Sequence, residues 1–168
     1  LPPEAPPSSR IAVTRPSLDF SKARVLIVDD IEDNRDVLAR RLRRLGLGDV
    51  HQAADGLEAL EKIRSEPFDL VLLDVMMPRM NGVDALAAMR DEGFLHKTPV
   101  VMISAASEIE TVVRCVELGA EDYLPKPFNP ALLAARVNAV LERKFLRDTN
   151  QRQLDRLERE LAEAWACQ

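Results

Sequence analysis

From residue 24 onward, short apolar runs alternate with stretches whose apolar side chains recur at helical spacing. Val25-Leu-Ile-Val28 and Leu70-Val-Leu-Leu73 are unbroken Val/Ile/Leu blocks that stop at carboxylates, Asp29-Asp30 in the first case and Asp74 in the second. A strand covered on both faces reads as a continuous apolar run, and charge is expelled to its end, where the sheet edge meets water. The blocks predict strands at about 24–29 and 69–74. Further strands are predicted at about 49–53, 98–103 and 121–125. Pro99 stands at the start of the fourth, where a missing N–H is tolerated.

The intervening stretches predict helices. Asp33 is the expected N-cap of the first, with Val37, Leu38, Arg41, Leu42 and Leu45 inward and Gly46 as its stop. Asp55 opens a second, with Leu57, Leu60 and Ile63 inward. Asn81 caps a third at about 83–91, which Gly93 ends. Ser107-x-x-Glu110 reads as a capping box for a fourth, with Ile109, Val112, Val113 and Val116 inward and Gly119 closing it. Asn129-Pro130 supplies an N-cap and a first-turn proline for a long fifth helix.

Strand and helix alternating five times predict an α/β fold, a doubly wound five-stranded parallel sheet with helices on both faces. Right-handed crossovers bring the C-terminal ends of all strands to one edge, and ligands of open α/β sheets bind there. Asp29, Asp30, Asp74, Ser104 and Lys126 each fall at or just after such an end. A helix cap or a loop polar group accounts for any one of them alone. Five polar residues at four equivalent strand ends argue for a single acidic pocket.

Clustered carboxylates repel one another unless a cation sits among them. The hard, oxygen-seeking Mg²⁺ ion, or Mn²⁺, is the natural partner. A carboxylate beside such an ion and a lysine is a nucleophile for phosphorus, and attack gives an aspartyl phosphate. Phosphoryl transfer asks mainly for in-line positioning and neutralised equatorial oxygens. Lys126 supplies a point charge and Ser104 a hydroxyl donor for that purpose. No G-x-x-x-x-G-K and no G-x-G-x-x-G follows a strand, so the phosphoryl group is expected from a donor other than ATP bound here.

Composition narrows the partners. The net charge of -5 argues against nucleic acid, whose phosphates need a basic face. Cys115 and Cys167 are far apart and form no C-x-x-C pair, which fits a reducing cytosol and a cytoplasmic location. His51 and His96 are isolated and read as surface or strand-flanking residues. No apolar run reaches the roughly 18 residues of a membrane span, and the first residues lack a secretory pattern. Residues 1–21 carry Pro2, Pro3, Pro6, Pro7 and Pro16 and read as an extended leader or linker. The start at Leu1 and an end without a helix stop signal read as marks of a fragment.

Over about residues 23–143 the chain resembles the receiver domain of two-component response regulators, of the chemotaxis-regulator type. The resemblance rests on Val28-Asp-Asp30, Leu73-Asp-Val-Met-Met-Pro-Arg-Met-Asn-Gly82, Ile103-Ser-Ala105, Gly119-Ala-Glu-Asp-Tyr123 and Leu124-Pro-Lys-Pro-Phe128. It implies a flavodoxin-like strand order 2-1-3-4-5. It further implies Asp74 as phosphoacceptor, Asp29 and Asp30 as the acidic pair for Mg²⁺, and the backbone carbonyl of Met76 as a further ligand. Ser104 would be the switch hydroxyl, Lys126 the phosphate-contacting lysine and Tyr123 the switch aromatic. A cis bond between Lys126 and Pro127 and a histidine kinase or phosphotransfer protein as donor are also implied.

A receiver domain would end near Arg143, yet residues 144–168 continue without Gly or Pro. Leu154, Leu157, Leu161 and Ala164 follow the 3-4-3 spacing of a coiled-coil seam, interrupted toward Asn150 and Leu146. Asp148–Arg152 and Asp155–Arg159 are expected i,i+4 pairs. The expectation is a homodimer through a parallel coiled coil that leads to an output domain outside this chain. A phosphorylation-independent dimerisation module is the alternative, and the full polar set argues against it. An aspartate-nucleophile phosphatase would need a second Asp two residues after the nucleophile, where this chain has Met76.

Overall fold

The computed structural model describes residues 19–167. Five strands, β1 (Arg24–Val28), β2 (Asp49–Ala53), β3 (Leu70–Asp74), β4 (Val100–Ser104) and β5 (Asp122–Pro125), form one sheet in the order β2-β1-β3-β4-β5. Every neighbouring pair is parallel. Helices α1 (Glu32–Arg44), α2 (Gly56–Ser65), α3 (Gly82–Asp91), α4 (Ile109–Leu118) and α5 (Pro130–Ala166) connect and follow the strands. The predicted flavodoxin-like architecture, with a greatly lengthened last helix, is therefore the one observed.

The two faces of the sheet carry separate apolar layers. Leu26, Val28, Val71, Leu73 and Met102 pack with Leu60 and Ile63 of α2, Leu86 and Met89 of α3 and Cys115 of α4. On the other face Val25, Ile27, Leu70, Leu72 and Ile103 pack with Leu38 and Leu42 of α1 and Leu133, Val137 and Val140 of α5. β3 and β4 are buried throughout, which is why they read as unbroken apolar runs. Edge strand β2 buries only Ala53 completely and carries polar residues along its length.

Several helix starts match the sequence reading, and two do not. Asp55 accepts from Glu58 N at 2.9 Å, Asn81 from Asp84 N at 2.9 Å and Asn129 from Ala131 N at 2.9 Å. In α1, however, Ile31 occupies the cap position and Asp33 lies in the first turn, where it faces the positive end of the helix dipole. Ahead of α4 a short 3-10 turn spans Ala106–Glu108, and the Glu108 carboxylate accepts from Ala105 N at 3.0 Å. The reciprocal box expected from Ser107 and Glu110 is replaced by that bond.

Inner faces also shift. Leu45 and Leu57 are exposed, and α2 buries Ala59 instead. In α4 the buried residues are Val112 and Cys115, while Ile109, Val113 and Val116 are all more than half exposed. Apolar spacing defines a stripe, but the crossing of α4 over the sheet selects which edge of that stripe is covered.

Helix α5 runs unbroken from Pro130 to Ala166. Its first part packs on the sheet, and Leu146, Leu154, Leu157, Leu161 and Trp165 are exposed beyond it. The i,i+4 contacts differ from those expected: Lys144 pairs with Asp148, Gln151 with Asp155 and Arg156 with Glu160, and Arg159 reaches only the Asp155 carbonyl. Near the helix exit, Phe20 stacks on Phe145 with ring centroids 5.6 Å apart. The end of the proline-rich leader thus joins the α1/α5 layer, a contact its composition did not suggest. Residues 1–18 lie outside the described residues.

A candidate acidic site at the C-terminal edge of the sheet

The order β2-β1-β3 places β1 and β3 side by side with crossovers leaving on opposite faces, and such a reversal leaves a crevice at the carboxyl ends of the strands. Asp29 follows β1 there and Asp74 ends β3. Asp29 is fully buried. Its Oδ1 accepts from Ile31 N at 2.9 Å, its Oδ2 from Asn34 Nδ2 at 3.3 Å, and its carbonyl from Arg35 Nη1 at 2.7 Å. Asp30 is exposed at the rim. Asp29, Asp30 and Asp74 each offer an oxygen within 4.8 Å of the others.

Lys126, just past β5, brings the balancing charge. Its Nζ donates to Asp74 Oδ2 at 3.0 Å and lies 4.0 Å from Asp29 Oδ2. Its backbone N donates to the Ser104 carbonyl at 2.8 Å, which fixes the start of the loop after β5. The Lys126–Pro127 peptide is cis. One ammonium facing three carboxylates leaves the pocket anionic. Burial pushes the Asp74 carboxyl up to about 6; Lys126 opposes this and the charge of Asp29 adds to it. An oxygen-rich, undercompensated donor set of this kind fits a hard divalent cation.

Ser104 is buried at the end of β4, one residue beyond the Asp74–Ile103 pairing in the next strand. Tyr123 sits half-buried in β5, paired with Met102, and the Arg136 guanidinium carbon lies 5.9 Å from its ring centre. Arg136 also bonds Asp122 at 2.8 Å, so α5 grips β5 beside the tyrosine. Met76 follows Asp74 in the β3–α3 loop; its N donates to Asp74 Oδ1 at 3.3 Å and its side chain is exposed. The loop returns to the strand through Gly82, whose N donates to the Val75 carbonyl at 2.9 Å. A Cβ at Gly82 would stand 2.2 Å from the Asp74 carbonyl oxygen, so only glycine fits.

Asp29, Asp30, Asp74 and Lys126 are thus gathered at one pole, with Ser104 on the adjacent strand end and Tyr123 further along β5. The supports of Asp29, namely Asn34 and Arg35, were not singled out from sequence. Nothing in their spacing marks them, because each reaches back from the first turns of α1 to a strand end fixed only by the fold.

This fold and site define the receiver modules of phosphorelay signalling. Residues 25–138 match the family model described as the response regulator receiver domain, and the chain belongs to that family. Among its relatives, the transcriptional regulatory protein CpxR of Escherichia coli K12 is 43% identical over 129 residues, covering 76% of this chain and 53% of CpxR. The alkaline phosphatase synthesis transcriptional regulatory protein PhoP of Bacillus subtilis is 41% identical over 120 residues, covering 71% of this chain and 49% of PhoP. The chain therefore spans about half the length of the curated relatives it matches. The crystal structure of a CheY-like response regulator receiver domain from Methanospirillum hungatei superposes with a TM-score of 0.69 at 30% identity, over 74% of this chain and 98% of that one. Receiver domains bind Mg²⁺ at an acidic pocket and interact with histidine kinases or phosphotransfer proteins. Among the described residues, no helix is long and apolar enough to cross a membrane.

Proposed function

We propose that Asp74 is the phosphoacceptor of this receiver module and that a histidine kinase or phosphotransfer protein supplies the phosphoryl group. An Asp74 carboxylate oxygen attacks phosphorus, the P–N bond of the donor phosphohistidine breaks, and the imidazole leaves with the electron pair. The observation that carries this reading is Lys126 Nζ at 3.0 Å from Asp74 Oδ2 in a pocket shared with two further carboxylates. Asp29, Asp30, Asp74 and the Met76 carbonyl would hold Mg²⁺ or Mn²⁺. The bound ion would neutralise charge on the transferring group. Lys126 neutralises a second oxygen and the Ser104 hydroxyl donates to a third.

Once a phosphoryl group is on Asp74, its negative charge draws Ser104 and Lys126 toward it. Withdrawal of Ser104 from its place behind the site frees room for the Tyr123 ring, and the surface made by α4, β5 and α5 repacks. Ile109, Val113 and Val116, apolar and exposed on α4, support that surface as the one that changes partners. Residues 22–143 form the receiver unit, residues 1–21 a leader, and residues 144–168 the transmitting helix.

The exposed stripe Leu154, Leu157, Leu161 and Ala164 supports a parallel coiled-coil homodimer. In a parallel in-register pair Asn150 meets its own copy across the seam. Gln153 and Glu160 then oppose Glu158 and Trp165 of the second chain, so these flanking pairs set no like charges against each other. The output lies outside this chain. In the relatives named above it is transcriptional regulation, whereas the acidic balance here leaves DNA contact to another segment. A cytoplasmic setting suits the kinase partner and the free cysteines.

The test is treatment with acetyl phosphate or beryllofluoride plus Mg²⁺. The wild type gains the mass of one phosphoryl group with acetyl phosphate, and Asp74→Asn gains none. Equal phosphorylation of both proteins would reject the assignment.

A further inference from the structure

The β3–α3 loop, residues 75–81, contains an exception to ordinary backbone geometry. Arg79 has φ 66°, the sole non-glycine with positive φ among the described residues. An arginine in the left-handed region is held there by its surroundings, and such outliers cluster where a loop must keep one shape. The surroundings here are the N-terminus of α2. Arg79 Nε donates to Asp55 Oδ2 at 2.9 Å, and Arg79 Nη2 donates to the same oxygen.

Asp55 is a firm anchor. It is 5% exposed, and its other oxygen caps α2 through Glu58 N. The Glu58 carboxylate in turn accepts from Ala54 N at 3.0 Å. A second tie lies one residue away on each side: Gly56 N donates to the Met80 carbonyl at 3.2 Å. The two loops meet so closely that a Cβ on Gly56 would stand 2.7 Å from Met80 Cγ and 2.8 Å from Met80 O.

We propose that Arg79 and Asp55 are positioning residues for the cation site, acting through the β3–α3 loop. This rests on the reading of Asp74 and the Met76 carbonyl as ligands. The near end of the loop is fixed by β3 and by the Gly82–Val75 bond. Its far limb is fixed by the ion pair to α2. Between these anchors lie Met76, Met77 and Pro78, and the path of the Met76 carbonyl depends on both. Neither Arg79 nor Asp55 touches the pocket.

The experiment compares Mg²⁺ dissociation constants, by calorimetry, for the wild type, Arg79→Asn, Asp55→Asn and the double variant. Asparagine tolerates the left-handed conformation at 79 and keeps the helix cap at 55, so both variants retain the local structure. Thermal midpoints in EDTA report stability separately. Each single variant is expected to bind Mg²⁺ about three- to tenfold more weakly, with no further loss in the double, because both remove one interaction. Arg79→Lys recovers part of the loss. If both single variants bind within twofold of the wild type, whatever their thermal midpoints, the positioning role is overturned while the cation site stands. A wild type that binds no Mg²⁺ overturns both.

Discussion

Lys144 Nζ lies 3.1 Å from Asp69 Oδ1, and the other oxygen of Asp69 accepts from Arg24 N at 2.8 Å. One carboxylate at the head of β3 thus joins the start of β1 to the point where α5 leaves the domain. Lys144 is 9% exposed, at the pole of the sheet opposite the acidic site. Lys144→Met keeps the aliphatic stem and removes the charge. A partly buried pair broken this way is expected to cost about 1–3 kcal/mol, read as a lower urea midpoint. Amide exchange just after residue 144 should quicken in the same variant.

Asp74 couples pH to metal-free stability. Its folded pKa of about 6 lies above the ordinary 3.8. A raised carboxyl favours the folded state where it is protonated, and this contribution is lost as pH rises from about 4 through 6. Asp74→Asn removes the ionisation, so in EDTA at pH 7.5 it should be more stable than wild type by ~2–3 kcal/mol. That gain should vanish near pH 4. Saturating Mg²⁺ should stabilise the wild type more than the variant, which keeps only two of the three carboxylates. An Asp74→Asn protein no more stable than wild type at pH 7.5 in EDTA would contradict the account.

Much of this pole was legible before the fold was known. Buried parallel strands cannot carry charge, so Asp29 and Asp74 had to mark strand ends, and topology then put them together. Local capping chemistry was equally visible at Asp55, Asn81 and Asn129. What sequence spacing could not resolve was rotation. The α4 stripe is turned by about a quarter of a revolution, because Cys115, small and apolar, fits beneath the helix where three bulkier β-branched residues face out. Nor could it show Arg79 meeting Asp55, 24 residues away, since that pair exists only when β1, β2 and β3 align their ends.

Gly82 offers a steric check on the loop. With the Asp74 carbonyl oxygen 2.2 Å from an added Cβ, Gly82→Ala must displace backbone beside the acidic site. The expected cost is at least about 3 kcal/mol, together with weaker Mg²⁺ binding. A crystal structure of Gly82→Ala with an unmoved loop would contradict this.

Lys126 competes with a cation for the same carboxylates. Lys126→Ala should therefore bind Mg²⁺ more tightly than wild type, by about three- to tenfold, even as the proposed rearrangement of Ser104 and Tyr123 on phosphorylation is impaired. Calorimetry reads the first effect, and the Tyr123 ring resonances with beryllofluoride read the second. Weaker Mg²⁺ binding in Lys126→Ala would mean that the ammonium helps to assemble the site.

The exposed seam of α5 is expected to hold a dimer at tens of micromolar, seen by sedimentation. Leu157→Glu places a charge at its centre and should give monomers. Asn150→Leu should tighten association while loosening the choice of register. A wild-type monomer with and without phosphorylation would remove the coiled coil.

The unbroken backbone of α5 has a mechanical corollary. From Phe145 to Ala166 it projects as a rod ~33 Å long at 1.5 Å per residue. A tilt of roughly 10° at its root would sweep the far tip through ~6 Å. Ångström-scale readjustment around Lys144, Phe20 and Phe145 is thus geared up to side-chain dimensions at Trp165, so the module needs no large internal motion to be felt at a distance.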